Sequence, residues 1–139
     1  MKFKFLSHTA DAKFQSFGKT IEAAFSNAAY AMVSLIVDKK VKSAINKKIK
    51  IKGRDKEALL YNFLEELLFL FDGQQFILAE ITKIKIKQDE DNQYDLEAEL
   101  IGDNAEKYQK IGNVKAITYN SMFVKKEKGK FVCQVVLDM

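Results

Sequence analysis

Lysine and isoleucine alternate in two stretches of this chain, residues 48–52 and residues 83–87. Successive side chains of a β-strand point to opposite faces of the sheet. The alternation therefore predicts two strands that turn isoleucine toward a core and lysine toward water. A chain with two such strands must build a sheet with one solvated face, and this requirement limits its possible folds more than any other feature of the sequence.

The second of these strands is predicted to form a hairpin, because residues 89–92 have the composition of a turn and another alternating run follows them. The register that keeps apolar residues on one face pairs Lys87 with Asp95, Lys85 with Glu97, Lys83 with Glu99, Ile86 with Leu96 and Ile84 with Ala98. Each opposite-charge pair would contribute roughly 0.2–1 kcal/mol, and a slip of one residue would turn the apolar set to solvent. Lys48, Lys50 and Lys52 have no such evident partners, so we expect some basic surface to remain free.

Two segments, residues 21–36 and 56–71, have the apolar spacing of amphipathic helices. Thr20 and Asp55 are the expected N-caps, and Gly73 is the expected stop of the second helix. The apolar stripes that should pack on the core are Ile21, Ala24, Phe25, Ala28, Met32, Leu35 and Ile36 in the first helix, and Leu59, Leu60, Phe63, Leu64, Leu67, Leu70 and Phe71 in the second.

The remaining regular segments are predicted to be strands, so the order along the chain is β-β-α-β-α followed by four strands. This order predicts an α+β fold in which two helices pack on a mainly antiparallel sheet. At 139 residues the chain fits one domain, residues 1–139, with a substantial core. The predicted strands cover residues 3–7, 14–17, 42–52, 76–87, 94–101, 114–125 and 130–137.

The composition indicates an intracellular globular protein. No apolar run approaches the ~20 residues that span a bilayer, and the N-terminal residues lack the features of a signal peptide. A single cysteine, Cys133, excludes an internal disulfide and fits the cytoplasm, where we expect the protein to work. Cys133 lies between valines and is interpreted as a small core residue rather than a reactive thiol.

The two ends of the chain carry residues that could form one site. His8-Thr9-Ala10-Asp11 follows the first apolar run, and Asp138 and Met139 close the last. If both end strands lie in one sheet, Asp11, Asp138 and the main-chain oxygens of Met139 could converge, and hard cations favour such oxygen clusters. The alternative is that each aspartate only caps a turn after its strand.

Five motifs in order resemble those of the archease family, small protein cofactors of the GTP-dependent RNA ligase that joins tRNA halves during splicing. They span nearly the whole chain. The motifs are His8-Thr9-Ala10-Asp11; Phe17-Gly18-Lys19-Thr20 with the helix that follows; Asn62-Phe63-Leu64-Glu65-Glu66-Leu67-Leu68-Phe69-Leu70-Phe71-Asp72; Val114-Lys115-Ala116-Ile117-Thr118-Tyr119; and Val136-Leu137-Asp138.

The resemblance implies a protein that is not itself an enzyme and has no catalytic or nucleotide-binding residues of its own. It implies an activator that promotes guanylylation and multiple turnover of the RNA ligase, with RNA reached only indirectly and no membrane partner. It also implies a metal site of Asp11, Asp138 and a main-chain oxygen of Met139. Calcium is the expected ion, with magnesium and manganese as alternatives.

The sequence departs from the family pattern at three positions. Lys13 stands where a small residue is expected, Tyr108 stands in place of an upstream histidine, and Asn120 follows the Thr-Tyr pair in place of histidine. His8 is the only histidine, so a zinc centre is not expected, and His8 is interpreted as a structural residue.

Two functions of other classes stay open. One is a small RNA-binding module that uses Lys48, Lys50 and Lys52, although Arg54 is the only arginine and nucleic-acid surfaces are usually richer in arginine. The other is a chaperone-like scaffold, which would need an exposed apolar patch. No apolar stripe is left over once the helices and strands are buried.

Overall fold

The computed structural model describes residues 1–7 and 11–139. Within these ranges the chain forms seven strands, two α-helices and one short 3-10 helix. In chain order the elements are β1 (Phe3–Leu6), β2 (Ala12–Gly18), α1 (Ile21–Ile36), β3 (Ile45–Gly53), α2 (Lys56–Gln74), β4 (Phe76–Gln88), β5 (Tyr94–Asn104), the 3-10 helix (Ala105–Lys107), β6 (Ala116–Glu127) and β7 (Lys130–Asp138).

The strands form two antiparallel sheets. One has four strands in the order β1-β2-β7-β6, and the other has three in the order β3-β5-β4. The helices pack against both sheets, and helices and strands both contribute to the core, which confirms the predicted α+β class. The strand order places the beginning of β2 beside the end of β7, so residues near both ends of the chain share one sheet.

The predicted β4–β5 hairpin is confirmed in its register. Lys87 pairs with Asp95, Lys85 with Glu97 and Lys83 with Glu99, and the isoleucines between them face the core. Asn92 in the connecting turn has φ of 64°, a left-handed conformation that asparagine tolerates better than most residues. The alternation of lysine and isoleucine was sufficient to predict this register.

The expectation that Lys48, Lys50 and Lys52 lack partners is wrong for Lys50 and Lys52, which form ion pairs with Glu97 and Asp95, whereas Lys48 has an acidic residue opposite it but no ion pair among the described residues. Strand β3 pairs with the other edge of β5, so Lys48 lies opposite Glu99, Lys50 opposite Glu97 and Lys52 opposite Asp95. Each acidic residue of β5 is therefore flanked by two lysines. The sequence pattern did not reveal this pairing because α2 and β4 separate β3 from β5 along the chain.

Both helices begin where the sequence predicts. The Thr20 hydroxyl accepts the Ala23 N–H at 3.1 Å, and the Asp55 carboxylate accepts the Ala58 N–H at 2.7 Å. Helix α1 ends at Ile36 as predicted, but α2 passes through Gly73 and ends at Gln74. The left-handed cap is Gln75, with φ of 54°, so the expected stop at Gly73 is wrong by two residues.

The core joins the two helices through stacked phenylalanines. The Phe25 ring of α1 lies 6.0 Å from the Phe63 ring of α2, centroid to centroid, and both side chains are fully buried. Cys133 is also fully buried, and burial raises the pKa of its thiol to about 12, which confirms its interpretation as a core residue.

Side chains of the helices accept backbone N–H groups from one outer strand of each sheet. Glu22 and Tyr30 of α1 accept backbone N–H groups of β4, and Glu57 of α2 accepts the Val124 N–H of β6. Unpaired N–H groups on an outer strand invite pairing with another chain, and these acceptors occupy some of them. No helix among the described residues is long and apolar enough to cross a membrane.

Candidate functional site

Asp11 and Asp138 lie at the same end of the four-stranded sheet. Ala12, the first residue of β2, pairs with Leu137, so Asp11 precedes this pair and Asp138 follows it. Neighbouring strands lie about 4.8 Å apart, so continuing this register by one residue puts Asp11 at the position opposite Asp138. Asp11 is partly exposed and Asp138 is exposed, as a site open to a partner or an ion requires.

A third strand fixes the main chain at this end of the sheet. Ala116 at the start of β6 pairs with Asp138, and the Lys115 N–H donates to the Asp138 carbonyl oxygen at 2.8 Å. Lys115 itself is exposed. Nothing in the sequence singles out Lys115 within its motif, because its link to Asp138 depends on the pairing of β6 with β7.

The side chain of Met139 packs on the core. It is partly buried against the core, beside Gly112, and the neighbouring Ile111 N–H donates to the Ile36 carbonyl oxygen of α1 at 2.8 Å. This packing restrains Met139, the residue that follows Asp138 at the end of β7.

The donors that the described residues offer at this end suit a hard cation. They are two carboxylates and main-chain oxygens, which calcium, magnesium and manganese prefer. In residues 1–7 and 11–139 no three His, Cys, Asp or Glu side chains cluster, so water would have to complete any coordination shell. His8, together with Thr9 and Ala10, lies outside the described residues, and the prediction for its role stays a prediction.

Tyr108 stands where the family pattern expects histidine. Its hydroxyl links two segments of the chain by hydrogen bonds. Its hydroxyl donates to the Asp103 carboxylate at 2.8 Å and accepts the Lys42 N–H at 2.9 Å. The bond from Tyr108, followed by that from the Asn104 N–H, holds the pKa of Asp103 below its ordinary value. Tyr108 therefore fixes the connection between α1 and β3 to the end of β5.

Tyr119 and Asn120 lie in an irregular part of β6. Pairing with β7 is interrupted between Thr118 and Phe123, and Ser121 has φ of 54°. The Gln134 side chain donates to the Ser121 carbonyl oxygen at 2.8 Å and stabilises this irregularity. Asn120 is exposed, so its side chain is open to solvent or a partner.

The irregular segment brings Tyr119 onto α2. Its ring stacks on Tyr61 with centroids 4.2 Å apart and planes inclined by 4°, while 51% of Tyr119 stays exposed. Partial burial, reinforced by the charge of Glu65, raises the pKa of the Tyr61 hydroxyl. No pattern in the sequence predicts this pair, since it depends on an irregularity of β6 that alternation does not reveal.

Comparison with known proteins gives consistent matches over the full length. The model of the Archease protein family matches residues 3–139. The protein archease of Methanosarcina barkeri is 37% identical over 99% of this chain and 96% of its own. The solution structure of Methanobacterium thermoautotrophicum protein 1598 has 33% identity and a TM-score of 0.84, with 99% of each chain covered. A Thermotoga maritima crystal structure described as an archease and possible chaperone shares the fold at a TM-score of 0.60 and 19% identity, covering 98% of this chain and 96% of that one.

Proposed function

This chain belongs to the archease family, and from that membership we propose that it activates a GTP-dependent RNA ligase of the tRNA-splicing type without being a catalyst itself. The observation that supports the proposal most strongly is the position of Asp11 beside Asp138 at one end of the sheet. Both aspartates belong to motifs on which the family resemblance rests. An exposed acidic pair is suited to presenting an ion to a partner.

In this proposal Asp11 and Asp138 hold a divalent ion, and a main-chain oxygen of Met139 completes the protein ligands. Calcium is the expected ion, with magnesium and manganese as alternatives, because oxygen donors discriminate weakly among the three. When bound, such an ion offsets negative charge on a polyphosphate and fixes its orientation. The exposed ammonium of Lys115 adds positive charge at the same end of the sheet.

The chain's own contribution is to hold these oxygens in place. The Lys115 N–H fixes the Asp138 carbonyl, and the packing of Met139 on the core restrains the following main chain. Asp11 is positioned by the pairing of β2 with β7. Preorganised donors of this kind need little rearrangement when the ion or the partner binds.

The test is guanylylation of the RNA ligase from the same organism. Ligase, GTP and manganese are mixed with and without substoichiometric protein, and labelled guanylate on the ligase is followed over time. We expect a clear rise in rate, and we expect Asp11→Asn and Asp138→Asn each to abolish it while remaining folded. No rise with a demonstrably active ligase would overturn the activator proposal. Activation retained by both variants would overturn the role of the aspartates.

Glu127→Gln is the matched control for these variants. It also replaces one carboxylate by an amide on the same sheet, but Glu127 lies in the β6–β7 hairpin, at the opposite end of β6 from Ala116. The control variant should activate like the unchanged protein. A loss of activation in all three variants would point to net charge as the cause and would count against the site.

A chaperone-like role has less support. The large apolar side chains that are exposed include Phe5 on β1, Phe69 on α2 and Ile111 after the 3-10 helix. They lie on separate elements, whereas a surface for unfolded clients would need a contiguous apolar patch.

A further inference from the structure

The solvent-facing side of the three-stranded sheet carries a regular charge pattern, which we call the lysine face. Three acidic residues of β5 form its central row, and lysines of β3 and β4 form a row on either side. The members are Lys48, Lys50, Lys52, Lys83, Lys85 and Lys87 with Asp95, Glu97 and Glu99. With six lysines against three carboxylates, this face has a surplus of three positive charges.

Each carboxylate reaches only one of its two neighbours. Lys50 approaches Glu97 at 3.7 Å, Lys52 approaches Asp95 at 3.6 Å and Lys83 approaches Glu99 at 4.0 Å. Within the described part of the chain, the other three lysines of the face have no carboxylate within 4.0 Å; they are Lys48, Lys85 and Lys87. Their ammonium groups are exposed and available to an anionic partner.

The lysine face continues into a cleft that contains an aromatic platform. Lys52 and Arg54, at the end of β3, line a shallow cleft of about 470 Å³ together with Tyr119. Tyr119 is stacked on Tyr61 and half exposed, so its ring is supported from one side and open to the cleft. Arg54, the only arginine of the chain, therefore lines the same cleft as an exposed aromatic ring, and its Nε also lies 3.8 Å from the Asp55 carboxylate.

We propose that the lysine face and this cleft together bind single-stranded RNA, with phosphates over the lysines and a base stacked on Tyr119. Proteins that bind single strands combine a basic surface along the backbone with aromatic rings on which bases stack. Both parts are present on adjoining surfaces of this molecule. Contacts between lysine and phosphate carry no information about the base sequence, so we expect the binding to have little sequence preference.

This inference does not depend on the ligase or on the ion. It replaces the expectation that RNA is reached only indirectly, and it adds Arg54, Tyr61 and Tyr119 to the lysines that the sequence suggested. The aspartates of the candidate metal site are not part of it. An RNA-binding result and a guanylylation result can therefore succeed or fail independently.

The test uses a fluorescein-labelled oligouridylate of about twelve nucleotides, a length within the usual range of single-strand sites. Fluorescence anisotropy is measured against the full chain at several salt concentrations. We expect saturable binding whose affinity falls steeply with salt, because Lys and Arg release counterions from the phosphates. A duplex RNA of equal length should bind more weakly, since its bases cannot stack on Tyr119.

Two pairs of variants separate the parts of the surface. Lys85→Gln with Lys87→Gln removes two phosphate contacts and should reduce the slope of log K against log salt by about 1.4. Lys39→Gln with Lys40→Gln, an equal change of charge beyond the far end of α1, should leave the slope unchanged. Tyr119→Ala should weaken binding about tenfold, whereas Tyr119→Phe keeps the ring and should bind normally.

No binding at low salt would overturn the proposal. Equal losses in the two lysine pairs would also overturn it, because they would indicate attraction by net charge alone. If Tyr119→Ala bound as well as Tyr119→Phe, or if duplex bound as tightly as the single strand, the proposed stacking on Tyr119 would be wrong. Circular dichroism of each variant establishes that the fold is retained.

Discussion

The carboxylate of Glu57 in α2 accepts the backbone N–H of Val124 in β6 at 3.0 Å. Glu57 lies in the first turn of its helix, where a negative charge is also favoured by the exposed helix N–H groups. Val124 is buried on the outer strand of the four-stranded sheet, so its N–H depends on this one side chain. The contact joins α2 to the sheet that carries the two aspartates.

Glu57→Ala should therefore lower the free energy of unfolding by about 1–3 kcal/mol, the usual cost of a buried donor left without a partner. Urea unfolding followed by circular dichroism measures the change. Glu57→Gln retains an acceptor oxygen, so its free energy of unfolding should fall by less. Equal stability of the alanine variant and the unchanged protein would show that water satisfies the Val124 N–H.

Truncation of Phe63 tests the stacked pair at the centre of the core. Phe63→Ala should cost about 3–5 kcal/mol, because it removes a fully buried ring that stacks on Phe25. Phe69→Ala on the same helix is the control. Because Phe69 is 55% exposed, this substitution should lower the free energy of unfolding far less. Urea unfolding of both variants measures the difference, and similar losses would contradict the assignment of the core.

The network around Asp103 predicts how stability depends on pH. Its pKa lies below the ordinary value of 3.8, first because of the Tyr108 hydroxyl. A carboxylate with a lowered pKa stabilises the fold above its unfolded pKa, and this contribution is lost as the pH falls through the folded pKa. Tyr108→Phe should therefore be less stable at pH 7, and the difference should shrink below about pH 4. A difference that stays constant between pH 7 and pH 3 in urea unfolding would contradict the role of Tyr108.

Cys133 should be inert while the protein is folded. Burial raises its pKa to about 12, so almost no thiolate exists at neutral pH, and the side chain is inaccessible. Ellman's reagent should react with it only after unfolding in urea. Rapid reaction of the native protein would show that the strands around Cys133 open readily.

Calcium should stabilise the protein if the proposed site is correct. An ion that binds only the folded state raises the free energy of unfolding, by about 2.7 kcal/mol at a concentration of 100 times Kd. The melting temperature should rise on addition of calcium and fall again with EDTA. Asp11→Asn and Asp138→Asn should abolish the rise, and Glu127→Gln should preserve it. An unchanged melting temperature with calcium, magnesium and manganese would count against the site.

Local patterns predicted most of this fold. Alternation determined the register of β4 on β5, and capping residues determined the start of both helices. The pairing of β3 with β5 could not be predicted in this way, because it joins residues that are distant in sequence. The end of α2 was misplaced because Gly73 is compatible with a helix and Gln75 adopts the left-handed conformation instead.

The candidate site was predicted less completely than the fold. Its aspartates were identified because each lies next to a predicted strand, and the pairing of Ala12 with Leu137 brings the ends of those strands to one edge of the sheet. Lys115 and the Tyr61–Tyr119 pair depend on contacts across the sheet and on a bulge, which leave no periodic signal. Long-range contacts of this kind are set by the whole core rather than by any local segment.

The rows of charge on the three-stranded sheet also restrict how strands can assemble. If β3 paired directly with β4, lysines would lie opposite lysines, and like charges in that position are destabilising. Only β5, with its acidic row, fits between them, so the charges favour one strand order over its alternatives. The same rule extends beyond one molecule. Both outer strands of this sheet present lysine, and two copies meeting edge to edge would repel each other, which protects the protein from aggregation through its open edges.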